Sequence, residues 1–68
     1  MITEIGIISG EILTLLEDMD KPMSLEEIKF HIDEPVEIVD MSIGWLVREG
    51  LILLEPTQRG YVVTDNSR

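Results

Sequence analysis

Residues 24–61 read SLEEIKFHIDEPVEIVDMSIGWLVREGLILLEPTQRGY. Ser24, with Glu27 three residues later, has the pattern of a capping box, in which each side chain accepts a bond from the other residue's backbone N–H. The apolar residues that follow have helical spacing: Leu25, Ile28 and Ile32. The stretch therefore begins with a short predicted helix that ends near Ile32.

A second helical pattern follows a tight turn made of Asp33, Glu34 and Pro35. The two acids can cap the next helix, and proline is well tolerated in a first helical turn. We expect this helix over residues 35–49, because Gly50 can adopt the left-handed conformation that commonly ends a helix. The residues expected to face the core are Val36, Val39, Ile43, Leu46 and Val47.

Two extended segments, residues 51–55 and 61–64, come next and are rich in branched or aromatic residues. Residues 56–60 lie between them, which predicts a hairpin with a five-residue turn. Residues 65–68 have too little apolar content to order themselves and are expected to fray.

The residues before Ser24 predict one longer helix, over residues 3–19. Its apolar side chains recur at alternating spacings of three and four, as on a helix face that meets a core. They are Ile5, Ile8, Ile12, Leu15, Leu16 and Met19. Pro22 excludes a continuation of this helix.

Three glycines, Gly6, Gly10 and Gly44, lie inside the predicted helices. Each costs about 1 kcal/mol relative to alanine in a helix interior, so a compensation is expected. Close helix approach would supply one, either inside the domain, with an indole over a glycine, or between two copies of the chain. For Gly6, simple tolerance near a fraying N-terminus suffices.

Three helices and a hairpin in this order resemble the winged helix-turn-helix family of bacterial and archaeal regulators. The resemblance covers nearly the whole chain, and it is carried by Ser24 to Ile28, by Val39, Ile43 and Leu46, and by Arg48 to Ile52. The run from Ile43 to Glu49 is also similar to a small, functionally uncharacterised subgroup of stand-alone winged-helix proteins. The implied fold is mainly α with a small β-hairpin (α+β): three helices and a two- or three-stranded wing, in one domain over residues 1–64.

Fourteen acidic and five basic residues give a net charge of −9, which works against binding to nucleic acid and to anionic lipid. The chain has no cysteine, which fits a reducing compartment. It shows no secretory signal, and no apolar stretch approaches the ~20 residues that span a bilayer. We expect a soluble cytoplasmic protein without membrane contact.

In the family that the chain resembles, outward residues of the third helix contact bases and phosphates. Here that helix begins with acids, and Arg48 is the one outward residue that could donate to a phosphate. DNA-binding transcriptional regulation is therefore the second interpretation of function. The residues that would carry it are Lys29, Arg48, Gln58 and Arg59.

Ile38, Met41 and Trp45 instead form a second apolar stripe, nearly opposite the core stripe, and Phe30 could extend it. Trp and Met are favoured anchors at protein interfaces. The alternative is that Trp45 folds back and completes a small core. The first interpretation of function is a protein-interaction or regulatory adaptor module, and a small structural homodimer overlaps with it.

Catalysis and ligand binding find little support in the sequence. His31 is the single histidine and lies near a helix end, where a solvated histidine is usual. Ser24 is better explained as a cap than as a nucleophile. The acids of residues 33–40 lack the ligand spacing of a metal-binding loop. We expect no enzyme, no cofactor, no metal and no small-molecule substrate.

Overall fold

The computed structural model describes residues 2–66 of the chain. Its elements are α1 (Ile2–Met19), β1 (Met23–Ser24), α2 (Leu25–His31), α3 (Val36–Arg48), β2 (Ile52–Thr57) and β3 (Gly60–Asp65). The strands form an antiparallel sheet in the order β1-β3-β2. The predicted three helices and hairpin are confirmed, and β1 makes the sheet three-stranded.

Helices and sheet enclose one apolar core to which every element except the hairpin tip contributes. Burying a large aliphatic side chain stabilises the fold by about 1.5–3 kcal/mol, so these residues dominate its stability. Met19, expected on the core face, lies at the end of α1 and is exposed. The buried residues are Ile8, Ile12, Leu16, Met23, Ile28, Ile32, Val39, Ile43, Leu46, Ile52 and Val63.

The predicted capping box begins α2. The Ser24 Oγ accepts a hydrogen bond from the Glu27 N–H at 3.0 Å, and the Glu27 Oε1 accepts one from the Ser24 N–H at 2.9 Å. The bond from the Ser24 backbone is the main reason that the pKa of the exposed Glu27 carboxyl lies below its ordinary value of 4.5. Ser24 also pairs with Val62 of β3, so one residue caps a helix and joins the sheet.

The start of α3 differs from the prediction. Pro35 occupies the N-cap position, and no side chain caps the helix. The Pro35 carbonyl accepts hydrogen bonds from the N–H groups of Ile38 and Val39. The expectation that Asp33 or Glu34 caps this helix is therefore wrong. A capping side chain belongs to the N-cap residue, and the proline side chain has no group that can accept a hydrogen bond.

Gly50 ends α3 as predicted, with a φ of 76° that few other residues adopt without strain. The Gly50 N–H donates to the Val47 carbonyl, and the Leu51 N–H donates to the Leu46 carbonyl, both at 3.0 Å. These two bonds form a Schellman motif, which satisfies carbonyls at the helix end and directs the chain into β2.

The core side of α3 is rotated relative to the predicted one. The buried residues of this helix are Val39, Ser42, Ile43 and Leu46. Val36 and Val47, predicted to face the core, are 53% and 38% exposed. A serine can take the core position because the Ser42 Oγ donates to the Ile38 carbonyl at 2.8 Å and lies 3.5 Å from the Ile5 carbonyl of α1.

The hairpin turn is shorter than predicted. Thr57 pairs with Gly60, so only Gln58 and Arg59 form the turn, and the expected five-residue turn is wrong. Pro56 does not end the strand, because β2 is at the sheet edge, where a missing N–H interrupts no ladder bond. The Thr57 Oγ1 accepts a bond from the Arg59 N–H and donates one to the Gly60 carbonyl.

The chain stays ordered beyond the predicted end of the domain at residue 64. Asp65 pairs with Ile52, and the Asn66 N–H donates to the Leu51 carbonyl at 3.0 Å. The Asn66 side-chain amide also donates to the Gly50 carbonyl. These backbone partners hold the first half of the segment expected to fray, and residues 67–68 lie outside the described residues.

The glycines inside the helices do not mark close contacts within the domain. A Cβ atom built on Gly6, Gly10 or Gly44 would meet nothing within 4 Å. The expectation of an indole over a glycine inside the domain is therefore wrong.

Gly44 and Gly50 give a matched pair of substitutions with opposite expected effects. Gly44→Ala should raise the free energy of unfolding by about 0.5–1 kcal/mol, because alanine is the better helix former and has room there. Gly50→Ala should lower it by roughly 1–2 kcal/mol, since the left-handed conformation strains alanine. Denaturant unfolding of both variants measures these values, and equal effects of the same sign would contradict the assigned helix end.

The capping box predicts a pH dependence. Because the pKa of Glu27 is lowered in the folded state, its contribution to stability is present above pH 4.5 and is lost as the pH falls through the folded-state pKa. The melting temperature of the wild type relative to Glu27→Gln should therefore decrease over this acidic range. Glu26→Gln controls for the loss of one charge. A Glu27 difference that does not change with pH would contradict the prediction.

Candidate functional site

The side of α3 that faces away from the core carries acidic and large apolar residues. Successive helix residues are about 100° apart, so the direction opposite the buried residues passes over Glu37, Met41, Gly44 and Arg48. Asp40 and Trp45 border this line on either side. We call these six exposed residues the outer face of α3: Glu37, Asp40, Met41, Gly44, Trp45 and Arg48.

Met41 and Trp45 are one helical turn apart and have exposed fractions of 44% and 45%. Side chains four residues apart on a helix are neighbours, so the thioether and the indole form one apolar area. Trp45 is neither a fully buried core residue nor a fully solvated one. The structure leaves about half of its surface available for contact.

Ile38, the third residue of the predicted stripe, is half-buried and packs against the core. The cause is the rotation of α3, which turns Ile38 inward as it turns Val36 and Val47 outward. The fully outward position expected for Ile38 is therefore wrong, and Ile38 lies between the core and the outer face.

Among the side chains that the structure describes, Phe30 has the largest exposed fraction of the large apolar ones, 84%. It stands on α2, and its ring packs edge-on against that of His31, with centroids 5.5 Å apart. The neighbouring Lys29 Nζ lies 2.8 Å from the Asp40 Oδ1, which ties α2 to α3. Both partners are partly exposed, so the pair contributes only about 0–1 kcal/mol to stability.

The residues expected to bind nucleic acid do not form one continuous basic surface. They are Lys29, Arg48, Gln58 and Arg59. Lys29 and Arg59 line one groove between α2 and the hairpin, together with Glu26 and Tyr61. Gln58 is beside Arg59 in the hairpin turn, and Arg48 stands in the last turn of α3. Lys29 is already paired with Asp40, and Glu26 adds a negative charge to the groove.

Sequence reasoning missed several exposed apolar residues away from α3. Ile7 is 57% exposed and borders a shallow groove on α1 with Gly10, Leu15 and two acids. Leu53 and Leu54 are exposed on β2, the edge strand. Ile7 lies outside the regular apolar stripe of α1, which could have indicated its exposure. Leu53 and Leu54 are adjacent, and in a strand with one buried side two adjacent residues cannot both face the core.

Polar groups that could support chemistry are not assembled into a site within the described residues. The buried Ser9 Oγ has no hydrogen-bond partner there, and no three His, Asp or Glu side chains of that part of the chain could hold a metal ion. The described helices also include none that is long and apolar enough to cross a membrane.

Comparison with known proteins identifies the fold family. The winged helix-turn-helix domain family DUF2582 matches residues 1–65. The solution NMR structure of protein BT2368 from Bacteroides thetaiotaomicron superposes with a TM-score of 0.79 at 21% identity, over 93% of this chain and 76% of that one. This likeness shows a shared fold. No curated protein matches the chain. With a match over all but its last three residues, the chain belongs to the winged helix-turn-helix domain family DUF2582.

Proposed function

We propose that this winged helix is a non-enzymatic protein-interaction or regulatory adaptor module whose contact surface is the outer face of α3, with Phe30 beside it. The observation that carries the proposal is that Met41 and Trp45 stay half-exposed on the helix that winged-helix regulators use for contact. Exposed apolar area costs about 25 cal/mol per Å² relative to burial, so a partner that covers these side chains gains free energy.

The charges on α3 support a protein partner over DNA. Glu37 and Asp40 occupy the first half of the outer face, and Arg48 is the basic residue at its end. Phosphates would meet like charges where a recognition helix usually enters the major groove. The same acids are acceptable at the polar rim of a protein interface.

A DNA-binding regulator remains the second candidate, favoured by one observation. Lys29 and Arg59 line the same groove between α2 and the hairpin, so two cations could contact one phosphate chain there. The Lys29–Asp40 pair would have to open for this contact. A homodimer through the outer face is the third candidate.

We place the protein in the cytoplasm, because its lack of cysteine fits a reducing compartment.

The first test is direct measurement of DNA binding. We expect no binding to random duplex DNA, even at about 50 mM salt, where electrostatic attachment is strongest. Fluorescence anisotropy with labelled duplex measures it. A dissociation constant of order micromolar or tighter would favour the second candidate, and Arg59→Ala should then weaken binding similarly for all sequences.

The second test separates the contact surface from the core. Trp45→Ala should lower the free energy of unfolding by about 1–2 kcal/mol, less than the ~3–5 kcal/mol of a buried tryptophan, because half of the indole is exposed. Met41→Ser should cost about 1 kcal/mol. The matched control Leu46→Ala, fully buried next to Trp45, should cost ~2–5 kcal/mol. Thermal melts measure all three.

With folding established, affinity capture from native cells tests the surface itself. A protein bound by the wild type should be lost with Met41→Ser combined with Trp45→Ala. It should be kept with Ile7→Ser, which removes a somewhat more exposed apolar side chain from α1. Sedimentation of the same variants detects a dimer. Capture that survives the double substitution would place the contact surface elsewhere.

A further inference from the structure

The outer face of α3 is apolar at its centre, acidic at its N-terminal half and basic at its C-terminal end, where Arg48 lies. Glu37 stands one turn before Met41, and Asp40 stands next to it. Among the residues that the structure describes, no cation pairs with Glu37, while Asp40 is paired with Lys29. A partner that covers Met41 and Trp45 therefore also meets the uncompensated Glu37 carboxylate.

The net charge of the chain disfavours a second copy as the occupant. A symmetric dimer through the outer face would place the same patch of both chains together, and each chain carries a net charge of −9. Like charges juxtaposed in an interface oppose association, whereas opposite charges speed it and strengthen it. The occupant that complements this face has Lys or Arg beside its apolar residues.

Gly44 affects the shape of this surface, because it has no side chain. It lies three residues after Met41 and directly before Trp45 and is exposed, and a Cβ there would meet no atom within 4 Å outside the two adjacent residues and the helix's own backbone. Nothing inside the domain uses the space, although glycine costs the helix about 1 kcal/mol. The missing side chain leaves an open space beside Met41, on the side of the helix that carries Asp40 and Arg48, whereas Trp45 lies on the other side of Met41. An open space of this kind accepts a knob from a facing helix.

We propose that the outer face of α3 binds a basic amphipathic helix of a partner protein, with one of its apolar side chains seated over Gly44 and its cations near Glu37 and Asp40. The inference rests on the proposed interaction function and names the chemistry of its partner. Met41 and Trp45 are about 6 Å apart along the helix axis, a spacing that suits side chains one turn apart on a facing helix.

Trp45 is the single tryptophan of the chain, so its fluorescence reports on this face. The probe is a tryptophan-free synthetic helix of about five turns with leucine on one side and lysine on the other, added to the intact protein. A matched helix with glutamate in place of lysine is the control. We expect a blue shift of the Trp45 emission and binding at least tenfold tighter for the lysine helix, weakening with salt.

Three variants localise the binding. Glu37→Gln combined with Asp40→Asn should weaken binding of the lysine helix about tenfold, whereas Glu11→Gln combined with Glu17→Gln makes the same charge change on α1 and should have little effect. Gly44→Leu fills the open space and should also weaken binding about tenfold, with melting checked separately.

Equal binding of both helices, with a blue shift of the Trp45 emission, would contradict the inference of a basic partner but would still support the interaction surface. No shift with either helix, or equal loss in the α1 control, would also overturn the inference. The capture experiment with Met41 and Trp45 decides the proposed function independently, so the two failures are distinguishable.

Discussion

The packing of α3 against the core through Val39, Ser42, Ile43 and Leu46 determines which residues of this helix reach solvent. The Ser42 hydroxyl donates to the Ile38 carbonyl one turn earlier and approaches the Ile5 carbonyl on α1. A polar residue is thereby satisfied in a core position, so Ser42 can face inward beside Val39 and Ile43. Relative to the orientation predicted from the sequence, Ile38 lies nearer the core, and Val36 and Val47 lie farther from it.

A scaffold built for contact carries an unusual set of contact residues here. In helix-turn-helix proteins that bind DNA the corresponding helix enters the major groove, whereas α3 has carboxylates in its first half and half-exposed Met41 and Trp45 farther along. Carboxylates oppose phosphate and attract cations, while exposed apolar groups favour a partner that can exclude water. Both properties support the proposed protein partner over a nucleic acid. Fold membership alone would not have indicated this, because function depends on the site.

The ends of α2 and α3 are each connected to the sheet by backbone bonds. Ser24 caps α2 and pairs with Val62, and the Schellman motif at Gly50 leads directly into β2. Asn66 closes the arrangement by donating from its side chain to the Gly50 carbonyl and from its backbone to Leu51. The hairpin is therefore held at its base on both sides, and its position relative to α2 creates the groove lined by Lys29 and Arg59.

Several features that depend on local chemistry could be predicted from the order of the amino acids. Glu27 three residues after Ser24 sufficed for the capping box, Gly50 for the end of α3, and the spacing of the apolar residues for three helices and a hairpin. Three features required the folded chain: the rotation of α3, the order of Asp65 and Asn66, and the half-exposure of Trp45. Each of these depends on atoms distant in the chain, and local propensity has no information about which distant carbonyl or side chain will be the partner.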